Sequence, residues 1–231
     1  MTIGIIAAMD EEIHFLREKI NQKKETTIAN TLFIEGELNN HSIVLMKSGI
    51  GKVNAAMSTT ILHERYRPNW ILNTGSAGGL AEELNIGDII ISTEVIHHDV
   101  DVTAFNYEFG QVPGMPPSFK ADSSLVKKAK STLENLEISS TLGLIGTGDS
   151  FMDDYERVSF IKEKFPALIA AEMEAAAIAQ VCYQYQTPFV VIRALSDIAG
   201  KESDLSFEEF IYLAAENSTK FIIEMLKNMG K

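Results

Sequence analysis

Apolar runs of strand length alternate with helical patterns along almost the whole chain, and that alternation restricts it to an α/β fold with strands and helices in layers. Residues 3–8 read as a buried strand and 11–20 as a helix with Ile13, Leu16 and Ile20 on one face. Residues 31–37 and 42–47 read as a hairpin around Asn39-Asn40, a suitable turn pair. Further helices are expected at 54–66, 124–136, 155–165 and 175–185, and further strands at 70–74, 88–95, 142–147, 169–171 and 189–194. Ser206-Phe207-Glu208-Glu209 fits a capping box that opens a long C-terminal helix. The expected architecture is a three-layer single domain over residues 1–231, with a central mixed, largely parallel sheet flanked by helices. The longest irregular stretch, 99–121, contains Gly110, Pro113, Gly114, Pro116 and Pro117. A loop of that length in a compact domain is usually functional or part of an interface.

Composition removes several classes of function. Hydrophobic residues make up 45% of the 231, enough for a sizeable core. Lys plus Arg number 20 against 32 Asp plus Glu, a net charge of −12. That balance argues against nucleic acid, whose backbone demands a basic footprint, and against anionic membranes. No apolar run reaches the roughly 18 residues of a membrane helix, and the apolar start of the chain leads straight into acids, so no signal peptide is expected. Cys182 is the only cysteine and falls in an Ala-rich helical stretch, where it reads as a small buried hydrophobe in a cytoplasmic protein.

Three separated segments concentrate the candidate chemistry: Gly148-Asp149-Ser150-Phe151, Glu172-Met173-Glu174-Ala175 and Ser196-Asp197. Each sets a carboxylate at a strand end or helix start, where open α/β sheets bind their ligands. Ser196-Asp197 follows the most buried-looking strand, and an acid there is costly unless it is paired or protonated; burial also raises a carboxyl pKa toward the range of a general acid. Glu172 and Glu174, two apart at a strand end, face alike and suit a sugar diol, though as a motif alone they read by default as first-turn acids. Asp10 and Glu11 read as acids complementing a helix dipole, while Glu12 is divided between that role and a functional base. Asn73-Thr74-Gly75-Ser76-Ala77-Gly78-Gly79 sets glycines just past a strand, where a ligand can approach the backbone. Ser48-Gly49-Ile50-Gly51-Lys52 lacks the phosphate-loop pattern, and His97-His98-Asp99 with Asp101 matches no strong metal spacing.

In combination and order these motifs, together with Gly4-Ile5-Ile6-Ala7-Ala8-Met9, Lys47-Ser48-Gly49-Ile50-Gly51-Lys52-Val53 and Asp101-Val102-Thr103-Ala104-Phe105, resemble the 5′-methylthioadenosine/S-adenosylhomocysteine nucleosidases over essentially the whole chain. The resemblance implies hydrolysis of the N-ribosidic bond of adenine nucleosides with a 5′-thioether, and of 5′-deoxyadenosine, in methionine salvage and removal of methyl-cycle products. It implies that Asp197 protonates adenine N7, with Ser196 holding the geometry, that Glu12 activates water with help from Arg193 and Ser76, and that Glu174 grips the ribose hydroxyls. Phe151 is then expected to stack on adenine, the backbone of Met152 to read its edges, and Gly78 to allow close approach. Many relatives are expected to carry a smaller β-branched residue at 152, a difference of little effect for a backbone contact. Met9, Ile50, Met173 and Phe207 are expected to form the apolar pocket for the alkylthio group, and methionines adapt well to such a role. The family is dimeric, so the segment from Val102 to Pro113 is expected to close the partner's pocket through Phe105 and Pro113. No metal or organic cofactor is implied.

Three other readings are weighed. Bacterial phosphorylases of the superfamily carry an Arg at the position of Asn73 and a glycine-rich turn at Met9–Glu12; an anionic Glu12 there repels phosphate and suits water. A futalosine-type hydrolase stays open, because specificity at the 5′ end depends on pocket shape. A non-catalytic nucleoside binder is expected to have lost one of Glu12, Glu174 and Asp197, and all three are present.

Overall fold

The computed structural model describes residues 1–199 and 203–228. In chain order it holds β1 (Thr2–Ala7), α1 (Asp10–Lys19), β2 (Asn21–Ile28), β3 (Thr31–Leu38), β4 (His41–Lys47), α2 (Lys52–Tyr66), β5 (Trp70–Gly79) and β6 (Ile89–His97). A 3-10 turn (Thr103–Phe105), β7 (Phe119–Lys120), α3 (Ser123–Asn135), β8 (Ser140–Thr147), α4 (Tyr155–Lys164), β9 (Leu168–Glu172), α5 (Ala175–Tyr185), β10 (Phe189–Ile198) and α6 (Ser203–Asn228) follow.

Alternate residues of the central strands feed two cores. Ile5, Leu72, Val190 and Ile192 pack against α1, α3 and α6 through residues such as Leu16, Leu133 and Phe221. Their neighbours Ile6, Ile71 and Val191 face α2 and α5, through Leu62, Ile178 and Cys182. Period-two alternation with apolar residues on both sides is what a sheet covered by helices on both faces requires. Cys182 is fully buried and burial pushes its thiol pKa up, which fits the reading as a small hydrophobe.

The mixed α/β character with helices on both faces agrees with the expectation; the open, largely parallel sheet does not. Strands β5, β10, β6, β8 and β9 pair in turn and β9 returns to β5, so the sheet closes on itself as a barrel. From β5 an arm of β1, β4, β3 and β2 extends outward, and β7 pairs with β6. Pairings are evenly divided: β1–β4, β1–β5, β5–β10, β6–β8 and β8–β9 are parallel, and β10–β6, β2–β3, β3–β4, β5–β9 and β6–β7 are antiparallel. Strand polarity is set by which ends meet when the barrel closes, and the alternation of strand and helix patterns does not encode that.

Asn39 and Asn40 turn the β3–β4 hairpin with φ of 51° and 65°, left-handed values that asparagine tolerates and that a tight primed turn needs. Helix α6 begins at Ser203, so Ser206 lies inside it and not at its cap. The side chains of Ser206 and Glu208 lie outside the described residues. Among the described residues no helix is long and apolar enough to cross a membrane.

Candidate active site

A cavity of about 430 Å³ opens where β1, β4, β5, β8, β9 and β10 end. Its wall includes Met9, Glu12, Ile50, Ser76, Gly78, Phe151, Met152, Met173, Glu174, Ser196, Asp197 and Phe207, which the sequence singled out, and also Ala8, Ala77, Ser150, Ala171 and Glu172. Residues as far apart as Ala8 and Phe207, 199 positions, are brought together because the segments lie at or beyond the ends of strands of one sheet. Phe151 and Phe207 meet edge to face, ring centroids 6.0 Å apart, and Met152 is buried in a small core beside Leu80 and Val158.

Glu12 sits in the first turn of α1 and is 5% exposed. Its Oε2 accepts the amides of Ala8 (2.8 Å) and Met9 (3.2 Å); its Oε1 accepts the amide (2.9 Å) and hydroxyl (3.1 Å) of Ser76. One oxygen of the carboxylate thus closes the helix start, and the other faces β5 on the cavity wall. Asp10, in contrast, is exposed and pairs with Lys47 at 2.7 Å.

Arg193 projects from β10 and is 1% exposed. Its Nη1 donates to the Thr74 carbonyl (3.2 Å) and its Nη2 to Asn73 Oδ1 (2.9 Å) and to the Glu172 carboxylate; Glu174 Oε2 stands 3.7 Å away. Beneath it Gly75 is obligatory: a Cβ there would lie 2.2 Å from Arg193 Nη1 and 2.7 Å from Glu12 Oε1. The glycine-rich run expected just past a strand is in fact the second half of β5, paired residue by residue with β10 as far as Gly79. Small residues there carry little strand propensity, and pairing with β10 overrides it.

Glu172, the last residue of β9, and Glu174, which precedes α5, both stand near Arg193 but have different surroundings. Glu172 accepts the amides of Glu174 (3.0 Å) and Ala175 (2.9 Å) and the Thr147 hydroxyl, and so is locked at the start of α5. Glu174 accepts the Gly51 amide (2.9 Å). Burial, and then the charge of Glu172, push its carboxyl up to about 8, against the pull of Arg193 and Gly51. The sequence did not reveal Glu172, Thr147 and Asn73 as supports of Arg193; the one available signal was an arginine placed inside the most apolar strand, which demands buried acceptors.

Asp197, 3% exposed, accepts the Ser196 hydroxyl (2.8 Å). The β5–β10 register slips between Leu195 and Asp197, so that Asp197 comes opposite Gly78. A Cβ on Gly78 would stand 2.9 Å from Asp197 Oδ2, so the missing side chain leaves room for the carboxylate.

Phe105 and Pro113 stand away from this cavity, on the protein surface; Phe105 is 74% exposed. His97, His98 and Asp99 diverge: His97 Nε2 meets Gln180 Oε1 (3.0 Å), His98 packs under Gly148, and Asp99 holds Lys52. Burial lowers the pKa of both histidines, which favours neutral rings.

A family model described as the phosphorylase superfamily matches residues 2–227. The 5′-methylthioadenosine/S-adenosylhomocysteine nucleosidase of Bacillus thuringiensis (strain Al Hakam) is 59% identical over 232 residues, covering 99% of this chain and 100% of that protein. The crystal structure of the enzyme of that name from Neisseria meningitidis, in complex with methylthio-immucillin-A, superposes with a TM-score of 0.97 at 46% identity over 99% of each chain. The native structure of futalosine hydrolase from Helicobacter pylori strain 26695 superposes at 0.95 with 33% identity, covering 99% of this chain and 98% of that one.

Proposed function

The chain belongs to the 5′-methylthioadenosine/S-adenosylhomocysteine nucleosidase family, hydrolases of N-glycosyl bonds within the phosphorylase superfamily, and on that premise we propose how its own residues divide the reaction. The observation that carries the proposal is the convergence of Glu12, Glu174 and Asp197 on one cavity of a size suited to a nucleoside.

Adenine is a poor leaving group as an anion. Asp197, buried and steadied by the Ser196 hydroxyl, gives a proton to N7 as the bond between N9 and C1′ breaks. Water adds to C1′ and yields its proton to Glu12, whose Oε1 is held toward β5 by Ser76. Arg193, fixed from behind by Asn73, Thr74 and Glu172, orients that water. Glu174 accepts the ribose 2′- and 3′-hydroxyls, and as an anion stabilises the positive charge that develops on the sugar. Phe151 stacks on the base and the Met152 backbone reads its edge. Met9, Ile50, Met173 and Phe207 take the alkylthio group, and 5′-deoxyadenosine fits the same space. Phe105 and Pro113 complete the pocket of a second copy in a homodimer.

Phosphorolysis is disfavoured by charge. Glu12, Glu172, Glu174 and Asp197 line the cavity, no lysine or arginine is among the described lining residues, and Asn73 is turned to Arg193. A futalosine-type substrate is the second reading, favoured by the H. pylori neighbour alone.

The deciding experiment follows adenine formation from methylthioadenosine by the purified protein, with and without phosphate. Phosphate-independent release of adenine and methylthioribose is expected. Strict dependence on phosphate overturns the hydrolytic role of Glu12 and the reading of Asn73 as excluding phosphate, and turnover of a futalosine alone overturns the thioether assignment. In the same assay Asp197→Asn is expected to lose about 10²–10⁴-fold in kcat while keeping its fold, the usual worth of a positioned general acid.

A further inference from the structure

Helix α2 starts at Gly51, φ 92°, which has no side chain to cap the first amides. Two carboxylates from distant segments do so. The Gly51 amide donates to Glu174 Oε1 (2.9 Å), and the Lys52 amide to Asp149 Oδ1 (2.7 Å), 97 residues away in sequence. The Lys52 side chain then turns to Asp99: its ammonium meets Asp99 Oδ1 at 2.6 Å, while Asp99 Oδ2 accepts the Asp149 amide at 3.0 Å. Lys52, Asp99 and Asp149 close a ring.

The ring ties two segments that shape the cavity to a third that lies outside it. Lys52 follows Ile50 and Gly51; Asp149 precedes Ser150, Phe151 and Met152; Asp99 begins the irregular stretch that carries Phe105. We infer that Lys52, Asp99 and Asp149 form a positioning device that holds the Gly51 amide against Glu174 and ties the ribose end of the cavity to its aromatic wall. The inference rests on the assignment of Glu174 to the ribose hydroxyls.

A partly buried ion pair, with side chains 20% and 30% exposed, strengthens the fold to a modest degree, and that is one account of the ring. Geometry is the stronger one. Without the Asp149 carboxylate the Lys52 amide loses its acceptor at a helix start, and the carboxylate that takes the adjacent Gly51 amide belongs to Glu174. Its carboxylate would then be shared between two amides and drawn off the sugar. Misplacement of a gripping group by about 1 Å is enough to cost as much as 10²-fold.

The test is a double-mutant cycle on methylthioadenosine hydrolysis, with KM and kcat measured for the native protein, Asp149→Ala, Glu174→Gln and the double variant. Asp149→Ala is expected to raise KM about 10-fold with a smaller change in kcat, and to add little once Glu174 is glutamine. Asp149→Asn, which keeps an oxygen for the Lys52 amide, is expected to recover most of the loss. An equal factor in both backgrounds, or a loss confined to kcat, overturns the inference and leaves the ribose assignment intact. A native KM in Glu174→Gln overturns the ribose assignment and the inference with it. Should Asp149→Ala fail to fold, Lys52→Met, which removes only the ammonium, carries the same cycle.

Discussion

Burial and the adjacent Glu172 hold the Glu174 carboxyl at about 8, so in the free protein it is largely protonated at neutral pH. A group whose folded pKa is raised contributes stability that is full below its unfolded value, near 4.5, and is lost as pH rises through about 8. Thermal unfolding followed from pH 5 to 9 is therefore expected to show a loss of Tm that is absent from Glu174→Gln. Parallel curves for the two proteins would refute this. Binding two sugar hydroxyls favours the anion, so a substrate analogue should release up to one proton per site near pH 7, measurable by calorimetry in buffers of different ionisation enthalpy. This behaviour was hidden in the sequence. Glu172 and Glu174 are the same letter two positions apart, and only the fold shows that Thr147, Arg193 and the start of α5 engage the first while burial raises the pKa of the second. Asp197 stood out from its burial alone, whereas Glu12, Glu174 and most of the cavity wall were expected only through the family resemblance. Asp149 was noticed as part of a motif, but its partner Lys52 is not deducible without the fold.

Among the elements, those with an apolar face were legible and those without one were not. β2 was missed because most of Asn21–Ile28 is exposed; among the described residues it pairs with β3 alone, and Lys23, Lys24 and Glu25 mark it as a solvated edge that discourages further pairing. β5 and β10 ran on beyond their apolar cores into the glycine and serine of the site, because each supplies the other's ladder. The β3–β4 turn was placed correctly, and it has a second task. Asn39 Nδ2 donates to the Ile223 carbonyl (2.8 Å), and His41 Nε2 lies 2.9 Å from the Leu226 carbonyl, so the hairpin holds the last turns of α6. Asn39→Ala removes both that bond and a residue that tolerates φ near 51°, and is expected to cost about 1–3 kcal/mol in chemical denaturation. An unchanged midpoint would show that the tie carries no weight.

For the molecule as a whole the open question is the surface around Phe105, a large ring with 74% of its area in solvent. Exposed apolar surface of that kind suits a contact with a second copy. The protein is expected to sediment as a dimer, and Phe105→Ala is expected to raise KM for methylthioadenosine by about 10-fold, the loss of one buried aromatic contact. A fully active monomer in sedimentation and assay would remove Phe105 and Pro113 from the site.

The closed sheet also governs the order in which the chain can mature. β10, the last strand, lies between β5 and β6, and its pairing with β5 joins residues more than 110 positions apart. Contacts of such separation form late, because a long loop must close before they reward it. The arm of β1, β3 and β4 can assemble on local pairing during synthesis, but the barrel waits for residue 198. Asp197 and Arg193 arrive on that same strand, so the residues proposed for the chemistry and the closed topology come together late, and a chain truncated before β10 has neither.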